Sequence, residues 1–142
     1  MGPATVVVCA GCGHRAPDDE PYPFRCPNAG TDDVDHVMVR ELDPDHVEFP
    51  EVDDAANPFV RYRALFHGYH QALRHGLSDE DVVGIVEDLD HAVAEVDGRG
   101  FVQTPFAPAP ELSERLGFEV WVKDETGNVS GSHKARHAMG LM

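Results

Sequence analysis

The sequence predicts an α/β fold that is preceded by a small β-rich module. Three observations predict it. Residues 78–96 carry the pattern of a long amphipathic helix, and residues 118–137 have the composition of a strand, a glycine- and serine-rich loop and a helix start. Near the N-terminus, cysteines lie between β-branched and turn-forming residues, which is typical of a small β-rich module. We therefore expect a module over residues 1–40, an acidic linker or arm over 41–58, and an α/β domain that begins within 59–142.

Two strands are expected in the N-terminal module, at Thr5–Val8 and His36–Arg40, because both segments are rich in β-branched residues. The first helix is expected over Phe59–His75, where aromatic and aliphatic residues recur at helical spacing after Pro58. A longer helix should follow Ser78, which suits an N-cap because acidic residues occupy the next turn.

The last third of the chain alternates between helix and strand signals. A short helix over Glu111–Leu116 should end at Gly117, and Phe118–Lys123 has the composition of a strand. The polar run 124–132 predicts a loop, and helical periodicity resumes at His133.

The charge balance excludes some classes of partner. The chain has 26 acidic and 11 basic residues, a net charge of −15, so we expect neither a nucleic-acid nor a membrane-surface partner. An acidic surface usually serves solubility, and docking of a basic partner is the alternative. No apolar run approaches the roughly 20 residues of a membrane span, and the N-terminus lacks the basic segment of a secretory signal. We therefore expect a cytoplasmic protein.

The three cysteines form a C-x2-C-x13-C pattern: Cys9, Cys12 and Cys26. Two short turns that face each other and carry thiolates suit a tetrahedral Zn²⁺ ion, so these residues are candidate metal ligands in a degenerate zinc-ribbon-like module. A second C-x2-C would place the fourth ligand at Ala29. Candidates to replace it are His14, His36 and Asp32. The alternative is a ribbon that stands without metal.

Lysine is scarce in this chain, because only two of its 11 basic residues are lysines, Lys123 and Lys134. An amine, unlike a guanidinium, condenses with an aldehyde. Lys134 follows a glycine- and serine-rich loop at a helix start, where backbone N–H groups suit a phosphate. This pattern is what a phosphorylated aldehyde cofactor requires, but taken alone it is more typical of an ordinary surface lysine at a helix start. The pattern is not a Walker P-loop, because Ser132 precedes the lysine and Ala135 follows it.

Several of these segments together resemble the fold-type-II pyridoxal-phosphate enzymes, most closely the threonine synthases. They are Thr104–Pro105, LSERLG at 112–117 and VWVKDETGNVSGSHKAR at 120–136. The cysteine pattern and NPFVRYR at 57–63 also resemble threonine synthases. Serine/threonine dehydratases and tryptophan synthase β chains are relatives in the same superfamily. The resemblance covers most of the chain, and its specific part is residues 104–137.

The resemblance implies the N-terminal part of a three-layer αβα domain in a pyridoxal-phosphate-dependent lyase. Such an enzyme acts on an amino acid by elimination or replacement at the β or γ carbon, and the full-length protein would be a homodimer. Lys134 would be the Schiff-base lysine and the base that moves the substrate α-proton. Ser132 and His133 would lie beside pyridoxal 5′-phosphate, and Asn128 and Glu125 would hold the loop.

The sequence also departs from the family pattern. Val129–Ser130 replaces the usual Pro-Thr, His133 replaces Phe, and Ala135 replaces Asp. A histidine before the lysine occurs in tryptophan synthase β chains, so the reaction is not inherited directly from threonine synthase.

The family's later motifs do not occur in this sequence. We therefore expect an N-terminal fragment that does not retain the cofactor by itself and is inactive alone. The alternative is a non-enzymatic, acidic, ribbon-headed binding module or a pseudogene product. A zinc-ribbon protein that binds nucleic acid is disfavoured by the charge of −15.

Overall fold

The computed structural model describes residues 4–47, 49–51 and 57–140. These residues form a mixed α/β structure with five α-helices, two 3-10 turns and two antiparallel two-stranded sheets. The chain divides into two compact units, one of Met1–Glu51 with Ala64–Leu77 and the other of Val52–Arg63 with Ser78–Met142. The prediction of an α/β chain is confirmed at this level. The expected linker over 41–58 lies partly outside the described residues.

The first unit is built on a short antiparallel sheet. Strand β1 (Thr5–Cys9) pairs with β2 (Met38–Leu42), so that Cys9 lies opposite Met38. Both ends of β1 are buried, at Thr5 and at Cys9. β-Branched side chains favour this pairing, as the sequence predicted, but β2 begins and ends two residues later than expected.

The helix predicted over Phe59–His75 is divided in the structure. Its pieces are α1 (Pro58–Arg61), a 3-10 turn (Arg63–Leu65) and α2 (His67–Arg74). Phe66 has an extended backbone with φ −97° and ψ 131°, so the i→i−4 hydrogen-bond ladder cannot continue through it. The guanidinium of Arg63 also donates to the carbonyl of Val60 at 2.8 Å, which satisfies a carbonyl that a continuous helix would have used.

Helix α2 is held to strand β1 by polar contacts. Thr5 Oγ1 lies 2.8 Å from His67 Nδ1, and Arg74 donates to the carbonyl of Thr5 at 3.3 Å. Burial lowers the pKa of His67, and the nearby charge of Arg40 lowers it further. His67 therefore serves as a hydrogen-bonding residue between α2 and β1.

Helix α3 (Asp79–Asp97) begins and ends where local sequence signals predict. The Ser78 hydroxyl accepts from the N–H of Asp81 at 3.1 Å, and the Asp81 carboxylate accepts from the N–H of Ser78 at 2.8 Å. This reciprocal capping box satisfies two N–H groups that lack helical partners. The helix ends at Gly98, whose φ of 81° is a left-handed conformation that favours glycine.

The second sheet is shorter than the sequence suggests. Strand β3 (Phe106–Pro108) pairs antiparallel with β4 (Trp121–Lys123), and α4 (Pro110–Leu116) lies between them in the chain. The predicted strand over 118–123 is thus cut to its last three residues. Strand β3 was not predicted, because a segment with so many prolines argues against a strand. Proline is tolerated in an edge strand such as β3. The N–H groups of Ala109 and Asp124 extend the pairing by donating to the carbonyls of Val120 and Pro105.

The core of the second unit forms around Phe101, Val129 and Met139, which are buried. Phe59 packs its ring edge to face against Phe101, with centroids 5.2 Å apart. Because Val129 precedes α5 (His133–Met139), this core anchors the loop that carries Lys134. No helix in the described part of the chain has the length and apolar character that a bilayer span requires.

The core predicts a large effect of truncating Phe101. Replacing Phe101 with Ala should lower the free energy of unfolding by about 3 kcal/mol, because it leaves a cavity at the centre of this cluster. Urea unfolding followed by the fluorescence of Trp121 measures it. The control Val96→Ala, at a side chain that is 90% exposed, should change the value by less than about 0.5 kcal/mol. Equal unfolding midpoints for the two variants would contradict this assignment of the core.

Candidate functional site

The first pair of cysteines lies on a tight turn that follows β1. Cys9 is 1% exposed, and its N–H donates to the carbonyl of His14 while its own carbonyl accepts from Gly13. Gly13 has φ 72°, a conformation that favours glycine. Gly11 is required for space, because a Cβ atom there would lie 2.4 Å from the carbonyl oxygen of Asp35. The turn therefore fixes the directions of Cys9 and Cys12 against the segment that precedes β2.

A second turn presents the third cysteine. Cys26 is 1% exposed and its carbonyl accepts from the N–H of Ala29 at 3.1 Å. The side-chain amide of Asn28 donates to the sulfur of Cys12 at 3.4 Å, which ties the two turns together. The two knuckles expected from the cysteine spacing are therefore present, and they face each other.

Four side chains converge between these turns and form a candidate metal-binding group: Cys9, Cys12, Cys26 and His36. Their ligand atoms all lie within 4.8 Å of one another. The sulfurs of Cys12 and Cys26 are 3.6 Å apart, and His36 Nδ1 lies 3.5 Å from the sulfur of Cys9 and 3.4 Å from that of Cys26.

These separations match those of a tetrahedral zinc site. Zn–S bonds of about 2.3 Å and Zn–N bonds of about 2.0–2.1 Å place two sulfurs about 3.8 Å apart, and a sulfur and a nitrogen about 3.6 Å apart. The donor set is compatible with Zn²⁺ in both chemistry and spacing. The sequence left the fourth position open among His14, His36 and Asp32, and of these three it is His36 that lies in the candidate group.

The thiols of the group differ in acidity. The amide of Asn28, followed by a backbone hydrogen bond from His14, lowers the pKa of Cys12 to about 6. Burial raises the pKa of Cys26. This lowering favours the thiolate of Cys12, which is the form that binds a metal ion. Cys12 is also exposed, so an incoming ion reaches it from solvent.

The second feature of interest is the loop between β4 and α5, which leads to Lys134 in the first turn of α5. Asn128 is fully buried, and its side-chain amide donates to the carbonyl of Ser132 at 3.1 Å. Ser130 has φ 53°, a left-handed conformation that is unfavourable for a residue other than glycine. Its N–H lies 3.2 Å from both carboxylate oxygens of Asp97, which holds this strained backbone in place.

The other end of the loop is held by Glu125. Its carboxylate accepts from the Thr104 hydroxyl at 2.5 Å and from Arg136 Nε at 2.9 Å, and Lys123 Nζ lies 3.2 Å away. The Thr104 hydrogen bond, followed by that of Arg136, lowers the pKa of Glu125 to about 2. Lys123 also donates to the carbonyl of Thr104 at 2.6 Å. One of the two lysines of the chain is therefore engaged in a polar network.

The other lysine has a different environment. Lys134 is exposed, and its backbone N–H donates to the Ser132 hydroxyl at 3.2 Å. Within the described residues, no hydrogen bond or ion pair engages its ammonium group. His133 is exposed and Ser132 is partly buried as the N-cap of α5. The three residues expected beside a cofactor therefore lie together at the start of α5, with the amine free.

The chain matches no family model, no curated protein and no solved structure. The proposals below therefore rest on the residues and on their geometry. The proposal for the metal-binding group is based on the distances between its ligand atoms. The proposal for Lys134 is based on the hydrogen bonds of its loop and on the resemblance described above.

The Glu125 network predicts a pH-dependent stability. Its carboxylate has a pKa below its usual value in the folded chain, so its contribution is present above about pH 4.5 and is lost as the pH falls toward 2. Glu125→Gln should lower the free energy of unfolding by about 2 kcal/mol at pH 7 and by much less at pH 3. Urea unfolding followed by Trp121 fluorescence at both values measures this.

A matched control is Glu114→Gln, which removes the same charge from an exposed position on α4. It should change the free energy by less than about 0.5 kcal/mol at either pH. A loss at Glu125 that is as large at pH 3 as at pH 7 would show that its charge is not what stabilises the loop.

Proposed function

We propose that Cys9, Cys12, Cys26 and His36 bind one Zn²⁺ ion that holds the two knuckles of the first unit together. The observation that carries the proposal is the spacing of the four ligand atoms, which fits a tetrahedral ion. Three thiols and an imidazole favour zinc over magnesium or calcium, which prefer oxygen ligands. Four protein ligands leave no open position, so the role is structural and not catalytic.

The burial pattern of the first unit supports this role. In its described part only Thr5, Cys9 and Cys26 are buried, while large apolar side chains such as Tyr22 and Phe24 are 73% exposed. Two of the three buried residues are thus thiol ligands. Small domains with so little buried apolar surface usually need a metal ion or disulfides to fold. Zinc binding supplies the free energy that this unit lacks.

Metal analysis tests the proposal. Protein purified without chelator should contain one zinc ion per chain, and a chelator should unfold the β1–β2 pairing, which NMR or amide exchange detects. Cys26→Ser should abolish zinc binding. His14→Ala is the control, because His14 lies beside the cysteines but outside the ligand group, and it should retain one zinc ion. Protein without zinc under these conditions would refute the proposal.

A second proposal concerns Lys134. We infer that the chain is the N-terminal portion of a pyridoxal-phosphate-dependent lyase of the threonine synthase or threonine dehydratase type, acting on an amino acid. When bound, the cofactor supplies an electron sink for a carbanion at the substrate α-carbon. Lys134 supplies the amine that holds the cofactor and moves the α-proton. The alternative is the non-enzymatic acidic binding module.

Two properties of the loop support this assignment. Its backbone is anchored on both sides, by buried Val129 and Asn128 and by the Asp97 carboxylate, so Lys134 starts from a fixed position. No residue in the described part of the chain pairs with its amine, whereas that of Lys123 donates to Thr104 and pairs with Glu125. A nucleophilic lysine must be unpaired to react, and Lys134 meets this requirement. Ser132 orients the first turn of α5, and His133 lies next to the amine in sequence.

Chemical trapping tests the amine. Pyridoxal phosphate followed by borohydride should label Lys134 several-fold more than Lys123, as peptide mass spectrometry would show. Lys134→Arg should lose most of this label, and Lys123→Arg is the matched control that should keep it. Without borohydride, gel filtration should strip the cofactor from this chain. Equal labelling of both lysines would favour the binding module.

The coding sequence downstream of Met142 provides an independent test of the enzyme itself. A continuing frame that encodes an S-x-G-N motif and a later glycine-rich loop supports the lyase. A stop codon there contradicts it and favours the binding module or a pseudogene.

A further inference from the structure

We propose that Asp33 is a positioning residue that orients His36 as a metal ligand, and this inference rests on the zinc proposal above. His36 Nε2 lies 3.1 Å from Asp33 Oδ2, on the opposite side of the ring from the thiols. His36 Nδ1 lies 3.5 Å and 3.4 Å from the sulfurs of Cys9 and Cys26. The ring therefore bridges a carboxylate and the ligand group.

This arrangement selects one tautomer of the imidazole. A carboxylate accepts hydrogen bonds and donates none, so the nitrogen that faces Asp33 must carry the proton. Nδ1 of neutral His36 is then left with a free lone pair, which points at the thiols and is the form that binds a metal ion. A carboxylate behind a ligating histidine also fixes the orientation of the ring.

The carboxylate of Asp33 is itself held by its own turn. Its other oxygen, Oδ1, accepts from the N–H of Asp35 at 3.0 Å. The same turn contacts the first knuckle, because a Cβ atom at Gly11 would meet the carbonyl oxygen of Asp35. The N–H of Ala10 donates to the carbonyl of Val37 at 2.8 Å. Asp33 thus contacts its own turn and the imidazole ring, and the same segment contacts the first knuckle through the backbone of Asp35 and Val37.

Asp33→Asn tests the role with little change in shape. An asparagine side chain has one oxygen, so it can accept from Asp35 or from His36 but not from both, and its NH₂ group then faces an N–H donor. Zinc affinity, measured by competition with a chromophoric chelator, should fall about 10- to 100-fold. Asp32→Asn is the matched control. It removes the same charge from the neighbouring residue, whose carboxylate does not contact His36, and it should change zinc affinity less than twofold.

A double-variant cycle separates orientation of the ring from support of the turn. In a His36→Ala background there is no imidazole to orient, so adding Asp33→Asn should change zinc affinity less than twofold. The absorption spectrum of bound Co²⁺ should change with Asp33→Asn in the wild-type background, because the nitrogen ligand is displaced, and should not change with Asp32→Asn.

The outcomes distinguish this inference from the proposal on which it rests. If the wild-type chain binds neither zinc nor cobalt, the metal site itself is refuted. If it binds zinc and Asp33→Asn binds equally well, only the role of Asp33 is refuted. An equal loss in the wild-type and His36→Ala backgrounds would also overturn it, since Asp33 would then act on the turn alone.

Discussion

The first unit depends on the convergence of three thiols and one imidazole at the end of a two-stranded sheet. A sheet of two strands is barely stable in water without a further layer or a cross-link. Here the residues that are most buried are Cys9 and Cys26, which belong to the candidate metal-binding group, and Thr5, which contacts α2 by a hydrogen bond. The first unit is therefore held together by the convergence of thiol and imidazole groups and not by a buried apolar core. The other features of the unit serve to bring these groups together: the two knuckles, the glycine at position 11 and the turn before β2.

The second unit follows a different physical principle. Phe101, Val129 and Met139 form an apolar cluster on which α3 and α5 pack, and the loop between β4 and α5 is fixed by charge at both ends. Glu125 gathers Thr104, Lys123 and Arg136 at one end, and Asp97 holds the strained Ser130 at the other. The favourable free energy of the core and of these ion pairs offsets the cost of the left-handed backbone conformation of Ser130. Such strain persists only where the surroundings determine it, and it often marks functional segments.

The two lysines of the chain have different environments in the structure. The scarcity of amines draws attention to both, and the sequence makes Lys134 alone the candidate for covalent chemistry. Lys123 lies on β4 and is held by Glu125 and Thr104, so its ammonium stabilises the fold. Lys134 lies in the first turn of α5, and no described residue pairs with its amine. The proposed metal ligands and the proposed reactive lysine therefore belong to different units of this chain.

The sequence by itself determined the features that depend on neighbours along the chain. Ser78 caps α3 because its partner is three residues away, Gly98 and Gly117 end their helices through their own left-handed backbone, and the C-x2-C spacing defines a knuckle. Only the tertiary structure decided which residue completes the candidate metal-binding group. His36 is ten residues from Cys26, and the other two candidates, His14 and Asp32, lie nearer to a cysteine along the chain. Tertiary structure also divided the predicted first helix and paired the proline-rich β3, because these depend on contacts with distant residues whose free energy exceeds local preference.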